Sequence, residues 1–85
     1  MRVVVPTHLQ RYTARVAEVD AEGATLAEVL VDLDRRYPGI RFRVVDEQDR
    51  IRPHIKFFVG EELAHTLAVP IDGRDVLIVA AFSGG

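Results

Sequence analysis

A lone amphipathic helix set among strands is what most constrains this chain. Thr25 follows Gly23 and stands three residues before Glu28, the capping-box spacing in which each side chain satisfies a free backbone donor at a helix start. From there Leu26, Val29, Leu30, Leu33 and Tyr37 recur at helical spacing, while Asp32, Asp34, Arg35 and Arg36 fall elsewhere around the cylinder. The pattern predicts a helix over 26–36, ended by Tyr37-Pro38-Gly39, with its apolar stripe laid against a sheet.

Period-two alternation supplies the sheet. Met1, Val3 and Val5 share one face of an opening strand that ends at Pro6, with Arg2 and Val4 on the other. Ala17, Val19 and Ala21 alternate with Glu18 and Asp20, predicting a second strand over 15–21 after a first turn at 7–14. Residues 40–52 read as a surface connection with one short helical turn, the acidic stretch 46–49 being a solvated turn. Pro53 opens a third strand in which Ile55, Phe57 and Val59 face one way and His54, Lys56 and Phe58 the other, and Gly60 closes it. An irregular crossing at 61–70 and an Asp72-Gly73-Arg74 turn then lead to a last strand over 75–81. This order fits an α+β fold of the β-grasp type, a mixed sheet of four to five strands wrapped around one main helix. The expected division is a β-grasp domain at 1–81 and a flexible tail at 82–85.

Composition narrows the chemistry. Eighty-five residues make one modest core without room for an enclosed cleft and lid. With 48% hydrophobic and 28% charged residues the chain is globular, and a formal charge of -2 with dispersed arginines leaves no basic stripe for a nucleic acid. No apolar run approaches the ~18 residues of a membrane span and no signal-peptide core opens the chain, so a cytoplasmic protein is expected. The absence of cysteine removes thiolate nucleophiles and disulfides. His8, His54 and His65 are widely separated without ligand-like spacing, which speaks against a metal site. Adjacent Glu61 and Glu62 point apart on an extended chain and read as solvated charges. None of the internal glycines forms a phosphate-loop pattern. No catalytic residue, metal or permanently bound cofactor is expected.

The sequence ends at Gly84-Gly85, directly after the largely apolar run 76–83. Two closing glycines arise by chance in roughly 0.5% of chains, so the pair gains weight from what precedes it, a strand that delivers it from a small domain. A tail without side chains fits a narrow channel and exposes its terminal carboxylate.

The opening strand into Pro6-Thr7, Thr25-Leu26 at the helix start, Arg36-Tyr37-Pro38-Gly39 at its end, Arg52-Pro53-His54 before the third strand, Asp72-Gly73 before the last and the closing Gly84-Gly85 together resemble the ThiS/MoaD-type ubiquitin-like sulfur carriers over nearly the whole chain. The connection after Pro38-Gly39 and the Arg-Pro-His segment look more like the CysO-type carriers of cysteine biosynthesis than the shorter thiamine carriers. The resemblance implies that an ATP-using, ubiquitin-activating-type enzyme adenylates the Gly85 carboxylate. A sulfur donor then displaces AMP to give a thiocarboxylate, which a sulfur-accepting biosynthetic enzyme uses. Phe82, Ser83 and Gly84 would form the presented tail.

Alternation locates a surface for such partners. With Ile55, Phe57, Val59, Val76 and Ile78 facing the helix, Phe58, Leu77 and Val79 project from the other sheet face. Two other uses of the chain stay open from sequence: a ubiquitin-like modifier joined through Gly85 to target lysines, and a β-grasp interaction module whose tail is never activated.

Overall fold

The computed structural model describes residues 1–81. The expected tail, with Phe82, Ser83, Gly84 and Gly85, lies outside the described residues. Five strands, β1 (Arg2–Val4), β2 (Glu18–Asp20), β3 (Ile55–Val59), β4 (Glu62–Ala64) and β5 (Val76–Ala80), form one mixed sheet in the order β2-β1-β5-β3-β4. Strands β1 and β5 run parallel and the other pairs antiparallel. Helix α1 (Leu26–Arg36) turns Leu26, Val29, Leu30 and Leu33 inward, each 0% exposed, into one cluster with Val3, Val19, Phe57, Val76 and Ile78. This is the β-grasp architecture.

The helix start explains why the 67–70 crossing lies where it does. Thr25 Oγ1 accepts from the Glu28 amide at 3.3 Å, and the Glu28 carboxylate accepts from the Ala24 amide at 3.2 Å, one residue earlier than in the simplest capping box. The first two helical amides have backbone partners instead: Leu26 N–H donates to the Val69 carbonyl and Ala27 N–H to that of Leu67. Gly23 is needed beside this cap, because a Cβ there would stand 2.6 Å from the Val29 nitrogen.

Four expectations are corrected. Strand β2 begins at Glu18 rather than at 15, because Ala14 and Arg15 adopt left-handed backbone (φ 54 and 68) and fold the chain back, Arg15 N–H donating to the Gln10 carbonyl. The 7–14 turn contains a 3₁₀ helix, Thr7–Tyr12, whose Leu9 is buried. Residues 40–52 are more than a surface connection: helix α2 (Ile40–Val44) buries Ile40 and Val44, with Val45 beside them, and the Asp34 carboxylate fastens its start by accepting from the Gly39 and Arg41 amides. The 61–70 crossing includes β4, which pairs with β3 across a turn at Gly60, a residue in left-handed backbone (φ 59). The Asp72-Gly73 turn is present, with positive φ at both residues and an Arg74 N–H bond to the Ile71 carbonyl.

Candidate functional site

The central strand β5 carries the chain toward its glycines, so the surface around β5 is where a partner of the tail would sit. Register puts Val4, Leu77, Phe58 and Leu63 side by side across β1, β5, β3 and β4. All four lie on the face away from α1, since Val3, Val76, Ile78, Phe57 and Val59 fill the core. Leu77 is 40% exposed and Val4, Phe58 and Leu63 are half-buried, an apolar row four strands wide. Half-buried Val79 follows one pleat further along β5, opposite exposed Lys56. The expected cluster of Phe58, Leu77 and Val79 is thus on one face, and the structure adds Val4 and Leu63, which short strands conceal in the sequence.

At the end of β5 the Ala81 amide donates to the His54 carbonyl at 2.8 Å, so pairing with β3 continues to the last described residue. Beside this exit lies a cleft of about 350 Å³ lined by His8, Leu9, Arg11, Phe42, Arg43, Arg52 and His54. The 3₁₀ helix supplies His8 and Arg11, α2 supplies Phe42 and Arg43, and the approach to β3 supplies Arg52 and His54. Arg43 Nε donates to the Tyr12 hydroxyl at 2.6 Å, Arg11 Nη2 to the same oxygen at 3.3 Å, and Arg52 Nε to the Phe42 carbonyl at 2.8 Å. The guanidinium groups also cover aromatic faces, Arg11 and Arg43 over Tyr12 at 5.2 and 5.9 Å and Arg52 over Phe42 at 4.7 Å. These donors hold the Tyr12 hydroxyl below its ordinary pKa, the bond from Arg43 contributing most. Burial, then the positive fields of His54 and Arg11, push the His8 imidazole down. A groove lined by Pro6, Thr7, His8, Ile78, Val79 and Ala80 joins this cleft to the apolar row.

Folding brings together two histidines far apart in sequence, His8 and His54, while His65 lines a separate hollow with Lys56. Among the described residues no group of three or more His, Cys, Asp or Glu could hold a metal ion. Glu61 and Glu62 are exposed, Glu62 pairing with Arg74 at 3.1 Å. Dispersed as they are in the sequence, Arg11, Arg43 and Arg52 converge in space, which no local pattern announced. No described helix is long and apolar enough to cross a membrane. A wider groove along α1, lined in part by Ala27, Val31 and Leu67, includes no residue of β5.

Comparison with known proteins agrees with the fold. The sulfur carrier protein CysO of Mycobacterium tuberculosis is 35% identical, the match covering 98% of this chain and 96% of that protein. The crystal structure of the Amycolatopsis orientalis BexX/CysO complex contains a chain that superposes with a TM-score of 0.89 at 32% identity, covering 99% of this chain and 98% of that one. Crystalline CysO of Mycobacterium tuberculosis gives 0.88 at 32% identity, over 95% and 98% of the two chains. The small archaeal modifier protein 1 of Methanosarcina acetivorans shares the fold alone, with a TM-score of 0.80 at 17% identity over 99% and 94%. The sequence model of the ThiS family matches residues 3–85, and the chain belongs to that family.

Proposed function

We propose that this protein is a sulfur carrier of cysteine biosynthesis or a related pathway, acted on by enzymes and itself catalysing no step. The observation that carries the reading is the full-length likeness to a protein named as a sulfur carrier, over 98% of this chain. In the proposed cycle a cytoplasmic adenylating enzyme seats the apolar row around Phe58, Leu77 and Val79 and draws in the tail formed by Phe82, Ser83 and Gly84. The Gly85 carboxylate attacks the α-phosphate of ATP, releasing pyrophosphate. A sulfur nucleophile then attacks the acyl carbon, and the bond from carbonyl carbon to AMP oxygen breaks as the carbon–sulfur bond forms. Adenylation is needed because a free carboxylate is a poor acyl donor, and the resulting thiocarboxylate sulfur is a better nucleophile than oxygen. ATP belongs to the partner, and the carrier holds no cofactor of its own. Parallel β1–β5 pairing keeps the strand that feeds the tail in the middle of the sheet, a firm base for presenting it.

Incubation with the adenylating enzyme, ATP and a sulfur donor should exchange one oxygen for one sulfur, read by intact-mass spectrometry. Lysine-linked conjugates without any thiocarboxylate would make the chain a modifier instead. A variant lacking Gly85 should show no exchange.

A further inference from the structure

Three arginines and two histidines gather in one cleft although the formal net charge of the chain is only -2. At the end where β5 begins stand exposed Asp20, Glu61, Glu62, Asp72 and Asp75, with Arg2, Arg74 and the N-terminal ammonium among them. At the other end, where β5 runs out to Ala81, stand Arg11, Arg43, Arg52, His8 and His54. The arginines elsewhere in the fold are partnered differently from those of the cleft. Arg2, Arg35, Arg36, Arg41 and Arg74 each meet a carboxylate. The donors of Arg11, Arg43 and Arg52 go to neutral oxygens, those of Tyr12 and Phe42, and among the described residues no carboxylate lines their cleft. Aromatic packing holds these guanidinium groups in place while leaving further N–H donors on each, an arrangement that fits carboxylates.

We propose that this cationic cleft at the exit of β5 is an electrostatic docking site for an acidic segment, a short run of Asp or Glu, of the partner protein that acts on the tail. The proposal rests on the carrier reading and extends it from the apolar row to a second anchor. The groove through Val79 connects the two, so one partner can cover both. Burial first, and then the positive fields of His54 and Arg11, lower the His8 imidazole, and a bound carboxylate would offset the second of these causes. A protein segment fits better than a nucleic acid because Tyr12 and Phe42 already carry guanidinium groups on their faces, removing the stacking platform that bases use. Opposite charge at a rim mainly speeds and orients encounter, so salt should weaken it.

The test has two arms. In the first, the isotopically labelled full chain is titrated at low salt with a Glu-rich peptide and, separately, with oligothymidylate, and amide shifts are followed by NMR. The peptide should move signals at 8–12, 42–43 and 52–54, and the shifts should vanish with Arg11→Glu plus Arg43→Glu, and in about 1 M salt, where the Debye length is about 3 Å. Unmoved signals, or equal shifts in the double variant, overturn the proposal; tighter binding of oligothymidylate than of the peptide replaces it with a nucleic-acid site. In the second arm, adenylation by the activating enzyme is measured for both chains. The double variant should keep its melting midpoint and kcat while KM rises roughly tenfold, with most of the difference lost at high salt. An unchanged KM overturns the docking even if the peptide binds. Should charge reversal unfold the domain, Arg11→Gln plus Arg43→Gln serves instead, with a smaller rise in KM expected and no rise as the refuting result. Failure of the wild-type chain to be activated sinks the carrier reading, and the peptide arm still judges the cleft.

Discussion

Leu77 and Ile78 are neighbours in one strand, yet Leu77 is 40% exposed and Ile78 only 2%. Leu77→Asp puts a carboxylate into water on the outer face, so circular dichroism and the melting midpoint should stay almost unchanged while adenylation weakens severely. Ile78→Asp buries an unpaired carboxylate at a cost of several kcal/mol, against a total stability of about 5–15 kcal/mol for a typical domain, and should unfold the chain. The pairs Phe57 with Ile78 and Phe58 with Leu77 fix this assignment, because a slip of one residue would exchange the two faces. Thermal melts of both variants decide it, and exchanged phenotypes would make the outer face the core.

Among elements, α1 is the most exposed to test. Thr25→Ala removes one 3.3 Å bond, while the neighbouring amides keep their partners on the 67–70 crossing, so a loss of about 0.5–1 kcal/mol is expected, at the lower end for an N-cap. Leu30→Ala, at a fully buried position, should cost about 2–5 kcal/mol. Urea titration separates the two, and equal small losses would mean that the buried stripe is misplaced. Later in the helix, Asp32 gathers Arg35 at 2.7 Å, Arg36 at 2.9 Å and the Glu22 amide at 2.9 Å. These donors, the bond from Arg35 first, lower its pKa from 3.8 to about 2. A depressed carboxylate stabilises the fold above its unfolded pKa and loses that contribution as pH falls through the folded one. The stability difference between the wild type and Asp32→Asn should therefore be steady near neutrality, shrink below about pH 4, and vanish as pH falls past about 2, measured by denaturant midpoints across pH. A difference that persists unchanged into strong acid would deny the ion pairs any role.

Helix α1 and strands β3 and β5 were legible in the sequence because each repeats its pattern often enough to exceed chance: four inward positions in the helix, and alternation over five residues in each strand. Strand β4 has three residues and a single alternation, and α2 has five residues with Ile40 and Val44 one turn apart, too few repeats to reveal a period. The apolar face around Leu77 followed from alternation alone. The cationic cleft did not, because its residues come from three segments that only tertiary folding brings together. Net charge also hid it, since the 13 acidic residues spread over the chain outweigh its 11 basic ones in the sum.

At the scale of the whole molecule, every buried apolar residue of the described chain lies between Val3 and Ile78. Removing Gly85 should accordingly abolish activation while leaving the melting midpoint nearly unchanged, since chain ends away from the core contribute little. A drop of many degrees on calorimetry would mean that the final residue is part of the folded domain. The sheet order β2-β1-β5-β3-β4 has another effect. The β1–β2 and β3–β4 hairpins share no ladder with each other, and each is joined to the sheet through β5 alone. A protease cut in the 72–75 turn would leave β5 held by its ladders alone, and loss of that segment would divide the sheet down its middle. Damage at that turn would therefore take Leu77 and Val79 of the proposed docking face away together with the tail, so chains nicked there would not compete with intact ones for those partners.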